Sequence, residues 1–304
     1  MATAYMFPGQ GSQSVGMGAD WLGRSALVQD TFAEADEALG SKLSEVILNG
    51  PMEDLTRTEN TQPALLTVSV AYWRVLQAEG LEPDVVAGHS LGEYSALVCA
   101  GALGFADAVR LTRLRGQAMQ SAVPVGVGTM AAILLIKDVE TIEALCAQAA
   151  EDQVLEPAGF NTLGQTVIAG NTEAVRRAVA LASEFRGRGV ELNVSAPFHC
   201  SLLSPAEAPL AAALAETDIQ PLAVPYVPNV TGAWTADASA DSVRSNLVAQ
   251  VSKPVRWLQT MQAMKDNGVD RWLEVGHGRT LVGFVKRFER KADLSAFEEE
   301  KWAK

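Results

Sequence analysis

The chain has 304 residues, 48% of them apolar and 20% charged, which excludes a mostly disordered polymer and leaves enough length to bury a sizeable core. Its formal net charge is −12, from 24 basic and 36 acidic residues, a poor match to nucleic acid or to an anionic membrane surface. The longest clean apolar run, residues 130–136, falls far short of the ~20 residues a membrane helix needs; with no signal-like N-terminus and only three cysteines, the expectation is a cytoplasmic chain with reduced thiols.

Residues 3–7 form a short apolar run closed by Pro8 and Gly9, which suits a buried strand. Helical patterns follow at 18–39 and 62–79. A second buried run, 85–87, ends at Gly88, and 91–103 is apolar on nearly every face, as in a helix in the middle of a domain. A further helix is predicted at 107–120. The character changes at Val123-Pro124-Val125-Gly126. Beyond it the predicted order is strand 127–136, helix 138–150, strand 154–160, strand 166–169, helix 171–184 and strand 190–194. That βαββαβ order is the ferredoxin-like unit, and Asp138 and Asn171 sit at N-cap positions. Short strands are predicted near 224–230 and 271–275, with helices at 241–250, 256–267 and 279–290. The charged stretch 292–304 is expected to be loosely held. The fold class is thus α/β: a large α/β-hydrolase-like subdomain, residues 1–124 and 198–304, interrupted by a small ferredoxin-like subdomain, residues 125–197.

The glycine-rich stretches do not make nucleotide sites. After Gly9 and Gly11, Ser14 stands where a dinucleotide fingerprint needs its third glycine. Gly11 and Gly16 have P-loop spacing, but Met17 replaces the lysine. Gly126 and Gly128 precede their strand, so their amides do not open a helix at a phosphate.

Gly88-His89-Ser90-Leu91-Gly92 fits G-x-S-x-G in the required context, with a buried strand before it and an apolar helix after it. Such a turn lifts the Ser90 hydroxyl to the carboxyl edge of a sheet. It also leaves the Leu91 amide, free at the helix start, pointing at the oxygen of whatever Ser90 attacks. The bland alternative is a plain β-turn-α with a capping serine. A serine nucleophile needs a base, and there are three histidines. His89 directly precedes Ser90, so its side chain diverges. His199 and His277 both follow predicted strands, and spacing alone does not choose between them. Arg115 falls on one face with Ala108, Leu111, Ala118 and Met119, and a cation in an apolar stripe needs an anion. That anion is either a structural carboxylate or a substrate carboxylate fitting the guanidinium fork. Cys99 and Cys146 read as small buried hydrophobes; Cys200, next to His199, is poorly placed to act as a nucleophile.

Six ordered motifs resemble the malonyl-CoA:acyl carrier protein transacylase family of bacterial fatty acid synthesis. They are Phe7-Pro8-Gly9-Gln10-Gly11-Ser12-Gln13, Thr61-Gln62-Pro63-Ala64-Leu65, the elbow through Glu93 and Tyr94, Arg115-Gly116-Gln117-Ala118-Met119, Phe160-Asn161 running on to Thr166-Val167-Ile168-Ala169-Gly170, and Pro197-Phe198-His199. Gln250, Pro254-Val255-Arg256-Trp257 and Glu274-Val275-Gly276 extend the likeness to the tail.

The resemblance implies that Ser90 takes a malonyl group from coenzyme A as a serine ester, with His199 as base and then acid. It implies an oxyanion hole from the amides of Gln10 and Leu91, Arg115 on the malonyl carboxylate, and a main-chain carbonyl at Gln250 orienting the imidazole. Asn161, Phe198 and Gln62 are expected in the substrate pocket, and Phe198 is expected to crowd out a methylmalonyl group. His277 is left as a turn residue. The partners implied are malonyl-CoA and acyl carrier protein, with coenzyme A thioester as substrate, no permanently bound cofactor and no metal; a monomer is expected. An acidic carrier protein requires a locally basic docking face, and Arg186 with Arg188 and Lys286 with Arg287 are the candidates. The competing readings are an esterase or thioesterase, which would need a carboxylate behind the histidine, and a carrier-binding module without activity.

Overall fold

The computed structural model describes residues 2–236 and 238–299. β1 (Ala2–Phe7) is followed by α1 (Ala19–Leu22), α2 (Ala26–Leu39), α3 (Leu43–Asn49), α4 (Met52–Thr56) and α5 (Thr58–Ala78). β2 (Val85–Gly88) turns directly into α6 (Gly92–Cys99), and α7 (Phe105–Ala122) follows. Next come β3 (Gly128–Leu134), α8 (Val139–Ala150), β4 (Leu155–Thr162), β5 (Gln165–Asn171), α9 (Thr172–Leu181) and β6 (Arg188–Glu191). The chain returns through a 3-10 turn (Ser201–Ala206) to α10 (Glu207–Ala215), α11 (Ala240–Ala249), α12 (Trp257–Asp266), β7 (Val269–Glu274), α13 (Thr280–Phe288), β8 (Asp293–Ala296) and a last 3-10 turn (Phe297–Glu299).

One sheet is parallel throughout, in the order β2-β1-β7-β8. Its two strands β1 and β2 are short and largely apolar because both faces are covered. Alternate residues feed different cores. Tyr5, Phe7 and Val86 pack on the side of α5 and α6 residues such as Leu65 and Leu97. Ala4, Met6, Val85 and Ala87 face Trp257, Met261 and Leu281. The second sheet is antiparallel, in the order β4-β5-β3-β6, which is the ferredoxin-like arrangement expected from the element order. Ala131, Ile133 and Ile168 pack under Leu145 of α8 and Val175 of α9. The other face, with Met130, Ala132 and Val167, looks onto a cavity shared with the parallel sheet. β4 is tied to the loop before α12, where Phe160 N donates to Val255 O at 2.8 Å and Val255 N to Ala158 O at 2.9 Å.

The departures from expectation are local. The run 91–103 is not one helix: α6 stops at Cys99 and Gly101 turns the chain with φ 75°. No strand ladder forms at 224–230; Tyr226 alone bridges Val86 and Thr235. β6 ends at Glu191, short of 194. Asp138 caps α8 through the Thr141 amide, whereas the Asn171 side chain accepts from Val154 N and leaves α9 uncapped. The tail is not loose over its described part. β8 extends the parallel sheet, and the fully buried Phe297 stacks on Tyr72 at 4.1 Å; residues 300–304 lie outside the described residues.

Candidate active site

The tight turn after β2 places Ser90 at the carboxyl edge of the parallel sheet with a left-handed backbone, φ 53°. The flanking glycines are required by packing. A Cβ on Gly88 would lie 1.8 Å from Gly92 C and O, and one on Gly92 would lie 2.1 Å from Phe7 O. Asn229 braces the turn: its Oδ1 accepts from Ser90 N at 2.7 Å and its Nδ2 donates to Gly88 O at 2.6 Å.

His199 also has a left-handed backbone, φ 62°, in the loop after β6. Its Nε2 lies 2.7 Å from Ser90 Oγ and its Nδ1 lies 2.7 Å from the main-chain oxygen of Gln250. A carbonyl only accepts, so Nδ1 carries the proton and donates; Nε2 is then the acceptor for the serine O–H. Burial, and then the neighbouring Arg115 cation, push the His199 pKa down to about 3. The imidazole is therefore neutral near pH 7, ready to take a proton.

Arg115 is buried at 2% exposure. Sequence reasoning demands an anion there, but no carboxylate makes an ion pair with it among the described residues. The guanidinium is held by amide oxygens instead: Nη1 donates to Gln62 Oε1 at 2.6 Å and Nη2 to Gln250 Oε1 at 2.8 Å, with Ser90 Oγ 3.2 Å from Nη2. Its Nε has no partner among the described residues. Burial lowers its pKa from the ordinary arginine value. Three donor nitrogens on a buried cation, two of them engaged by neutral groups, suit capture of a carboxylate from outside.

These groups line one cavity of about 270 Å³ together with Gln10, Leu91, Asn161, Phe198 and Gln62. The main-chain amides of Gln10 and Leu91 enter none of the hydrogen bonds among the described residues. Gly276 and His277 follow β7, but His277 turns away: Nε2 meets Ser14 Oγ at 2.7 Å and Nδ1 meets Glu298 Oε1 at 2.8 Å. His89 is sandwiched between Trp257 and Phe284, and its Nε2 meets Asn161 Oδ1 at 2.9 Å. Cys200 Sγ donates to Pro197 O, and burial pushes its thiol up to about 12. Arg186, Arg188, Lys286 and Arg287 are all exposed, and Arg287 Nη1 donates to Gln165 Oε1 at 2.6 Å beside the cavity.

Two residues escape the sequence reading, Asn229 and Glu93. Asn229 lies in a loop with no local signal. Glu93 does carry one, since it is the only acid in a helix that is otherwise apolar or small, and it is fully buried.

Residues 4–296 match the acyl transferase domain family. The malonyl CoA-acyl carrier protein transacylase of Escherichia coli (strain K12) is 48% identical over 298 residues, covering 97% of this chain and 96% of its own. An acyl carrier protein S-malonyltransferase from Vibrio cholerae, solved by crystallography, is 47% identical with a TM-score of 0.93, over 97% of this chain and 96% of that one. A malonyl-transacylase solved in complex with its type II PKS acyl-carrier protein is 45% identical with a TM-score of 0.93, over 97% of this chain and 95% of that one.

Proposed function

The chain belongs to the acyl transferase family, and from that premise we propose that it carries malonyl groups from coenzyme A to the phosphopantetheine thiol of acyl carrier protein, supplying fatty acid chain elongation. The observation that carries this reading is the 2.7 Å contact between Ser90 Oγ and a His199 fixed from behind by Gln250 O, in a cavity that also holds the Arg115 cation.

The transfer proceeds in two halves. Ser90 Oγ attacks the thioester carbonyl while its proton passes to His199 Nε2. The Gln10 and Leu91 amides receive the oxyanion, each such donor being worth about 2.7–4 kcal/mol in other acyl transfers. The C–S bond then breaks, and the coenzyme A sulfur leaves with the proton from His199. In the second half the pantetheine thiol gives its proton to His199 and attacks the malonyl-Ser90 ester; Ser90 leaves and recovers the proton. The main-chain carbonyl of Gln250 does the orienting that a carboxylate does in other serine enzymes. Arg115 pairs with the malonyl carboxylate. An acetyl group leaves that cation unmatched, which selects against it by several kcal/mol. Gln62 and Asn161 complete the pocket, and the Phe198 ring excludes a C2 methyl group.

The large subdomain comprises residues 1–124 and 198–304 and the small one 125–197, with the cavity between them. Arg186, Arg188, Lys286 and Arg287 form the basic docking face for the acidic carrier. Among the described residues no helix is long and apolar enough to cross a membrane, and we place the protein in the cytoplasm.

Incubation with malonyl-CoA followed by intact-mass measurement tests the reading. The expected result is a malonyl adduct, absent in Ser90→Ala and discharged by holo carrier protein. Rapid free malonate without transfer would mean a hydrolase, and no adduct a binding module.

A further inference from the structure

We propose that Glu93 is a positioning residue for Arg115, acting through the side-chain amide of Gln250, and that it thereby sets the preference for acyl groups bearing a carboxylate. The proposal rests on the roles given above to Ser90 and Arg115.

Glu93 lies in the first turn of α6, fully buried. A carboxylate in such a place is costly unless it is well partnered. No Lys or Arg makes an ion pair with it among the described residues. Its Oε2 accepts from Gln250 Nε2 at 2.7 Å and from Asn229 N at 3.1 Å, while its Oε1 has no partner among the described residues. Arg115 is one amide away, because Gln250 Oε1 accepts from Arg115 Nη2 at 2.8 Å. Glu93, Gln250 and Arg115 thus form a line: carboxylate, amide, guanidinium.

The amide has a donating and an accepting end. An ionised carboxylate only accepts and a guanidinium only donates. Both neighbours therefore force the same orientation, Nε2 toward Glu93 and Oε1 toward Arg115. The same Nε2 donates to Ser90 O at 2.9 Å, tying the amide to the elbow. With Nη2 pinned by Gln250 and Nη1 by Gln62, the planar guanidinium is fixed in one pose. A protonated Glu93 no longer requires a donor from the amide; Nε2 is then held by Ser90 O alone, the amide loosens, and Arg115 is held less firmly in its pose.

The titratable and charged groups facing Glu93 are Arg115 from α7, Tyr94 on its own helix and Tyr226 from the bridging segment. Burial pushes both tyrosines upward, so they stay neutral, and among the described residues Arg115 is the one charge facing Glu93. Burial also holds the Glu93 carboxyl up at about 7, which brings its protonation within easy experimental range.

The test compares Ser90 acylation by malonyl-CoA and by acetyl-CoA in single-turnover experiments from pH 6 to pH 8, for the wild-type chain, Glu93→Gln and Arg115→Ala. Both donors carry the same coenzyme A phosphates, so titration of the carrier cancels in their ratio. A glutamine at 93 offers either a donor or an acceptor and no longer fixes the amide. The expected result for Glu93→Gln at pH 8 is a rise of about tenfold in KM for malonyl-CoA, with a smaller change in kcat and little change for acetyl-CoA. In the wild type the malonyl preference should narrow as pH falls through 7; in Glu93→Gln it should be flat. An unchanged or lower malonyl KM in Glu93→Gln overturns the proposal, since bare loss of a negative charge strengthens the pull of Arg115. If Glu93→Gln does not fold, a malonyl-to-acetyl ratio constant with pH in the wild type overturns it equally. An Arg115→Ala variant with intact malonyl preference overturns the underlying reading of the site as well.

Discussion

The carboxyl edge of the parallel sheet and the open face of the antiparallel sheet enclose one cavity, yet they build it by different means. The parallel sheet contributes corners. Ser90 sits on a left-handed turn, and a buried net of Asn229, Glu93 and Gln250 locks the elbow behind it. The antiparallel sheet contributes a wall, Met130, Ala132 and Val167, made by plain strand alternation with no titratable group among them. The contrast teaches that the proposed nucleophile and base lie where the backbone leaves regular geometry, while the apolar wall facing them lies where it keeps it. Substitutions at the corners should therefore act on rate, and substitutions in the wall on fit.

The sharpest way to break this contrast is at the base. His199→Ala should slow Ser90 acylation by about a thousandfold, within the range seen for general bases, as measured by stopped-flow release of coenzyme A. A loss under tenfold would mean that the corner is not the reactive element. Acidity probes the same residue. The folded pKa of His199, about 3, lies below the ordinary 6.5, so the unfolded chain binds a proton the fold refuses. The associated stability is present above pH 6.5 and is lost as pH falls toward 3. His199→Gln should accordingly move the acid-unfolding midpoint, followed by circular dichroism, to lower pH.

Next in size is Arg115→Ala, which should lower kcat/KM for malonyl-CoA about a hundredfold and leave acetyl-CoA nearly unchanged. Equal losses for both donors would make Arg115 a scaffold for Gln62 and Gln250 and nothing more. Reversing Lys286 and Arg287 to glutamate should raise KM for the carrier protein about tenfold, with a weaker or reversed salt dependence and no effect on malonyl-CoA. The smallest effect belongs to the wall. Ala132→Val should change KM by about threefold or less, with kcat intact, because one strand position gains volume without disturbing a corner. A large fall in kcat there would dissolve the distinction between the two regions.

Much of this was legible in the residues. The elbow announces itself because two glycines, an apolar strand and an apolar helix are all local features, and the βαββαβ order follows from switches between periods of two and 3.6. The choice of His199 over His277 was not legible from spacing. It depends on Gln250 O and Ser90 Oγ arriving from positions 51 and 109 residues away. Of the two anions weighed for Arg115, the structural carboxylate is not found among the described residues, for a related reason. Two buried amides, Gln62 and Gln250, serve as partners, and glutamines carry no charge pattern to betray them. The strand expected at 224–230 is a single bridge at Tyr226, because Pro225 and Pro228 on either side cannot donate to a ladder. The tail looked loose from its charge, yet Ala296 and Phe297 are wholly buried; Ala296, paired with Glu274 of β7, and Phe297 just after it outweighed the surrounding acids.

Ser90 and His199 both hold backbone angles that glycine would adopt without penalty, at φ 53° and 62°. On the roles proposed above, the corner at residue 90 is kept at a cost to the fold: Ser90→Gly should melt slightly later than the native chain while lacking the hydroxyl to be acylated. Selection for endurance alone, with no demand for turnover, would be expected to erase that serine.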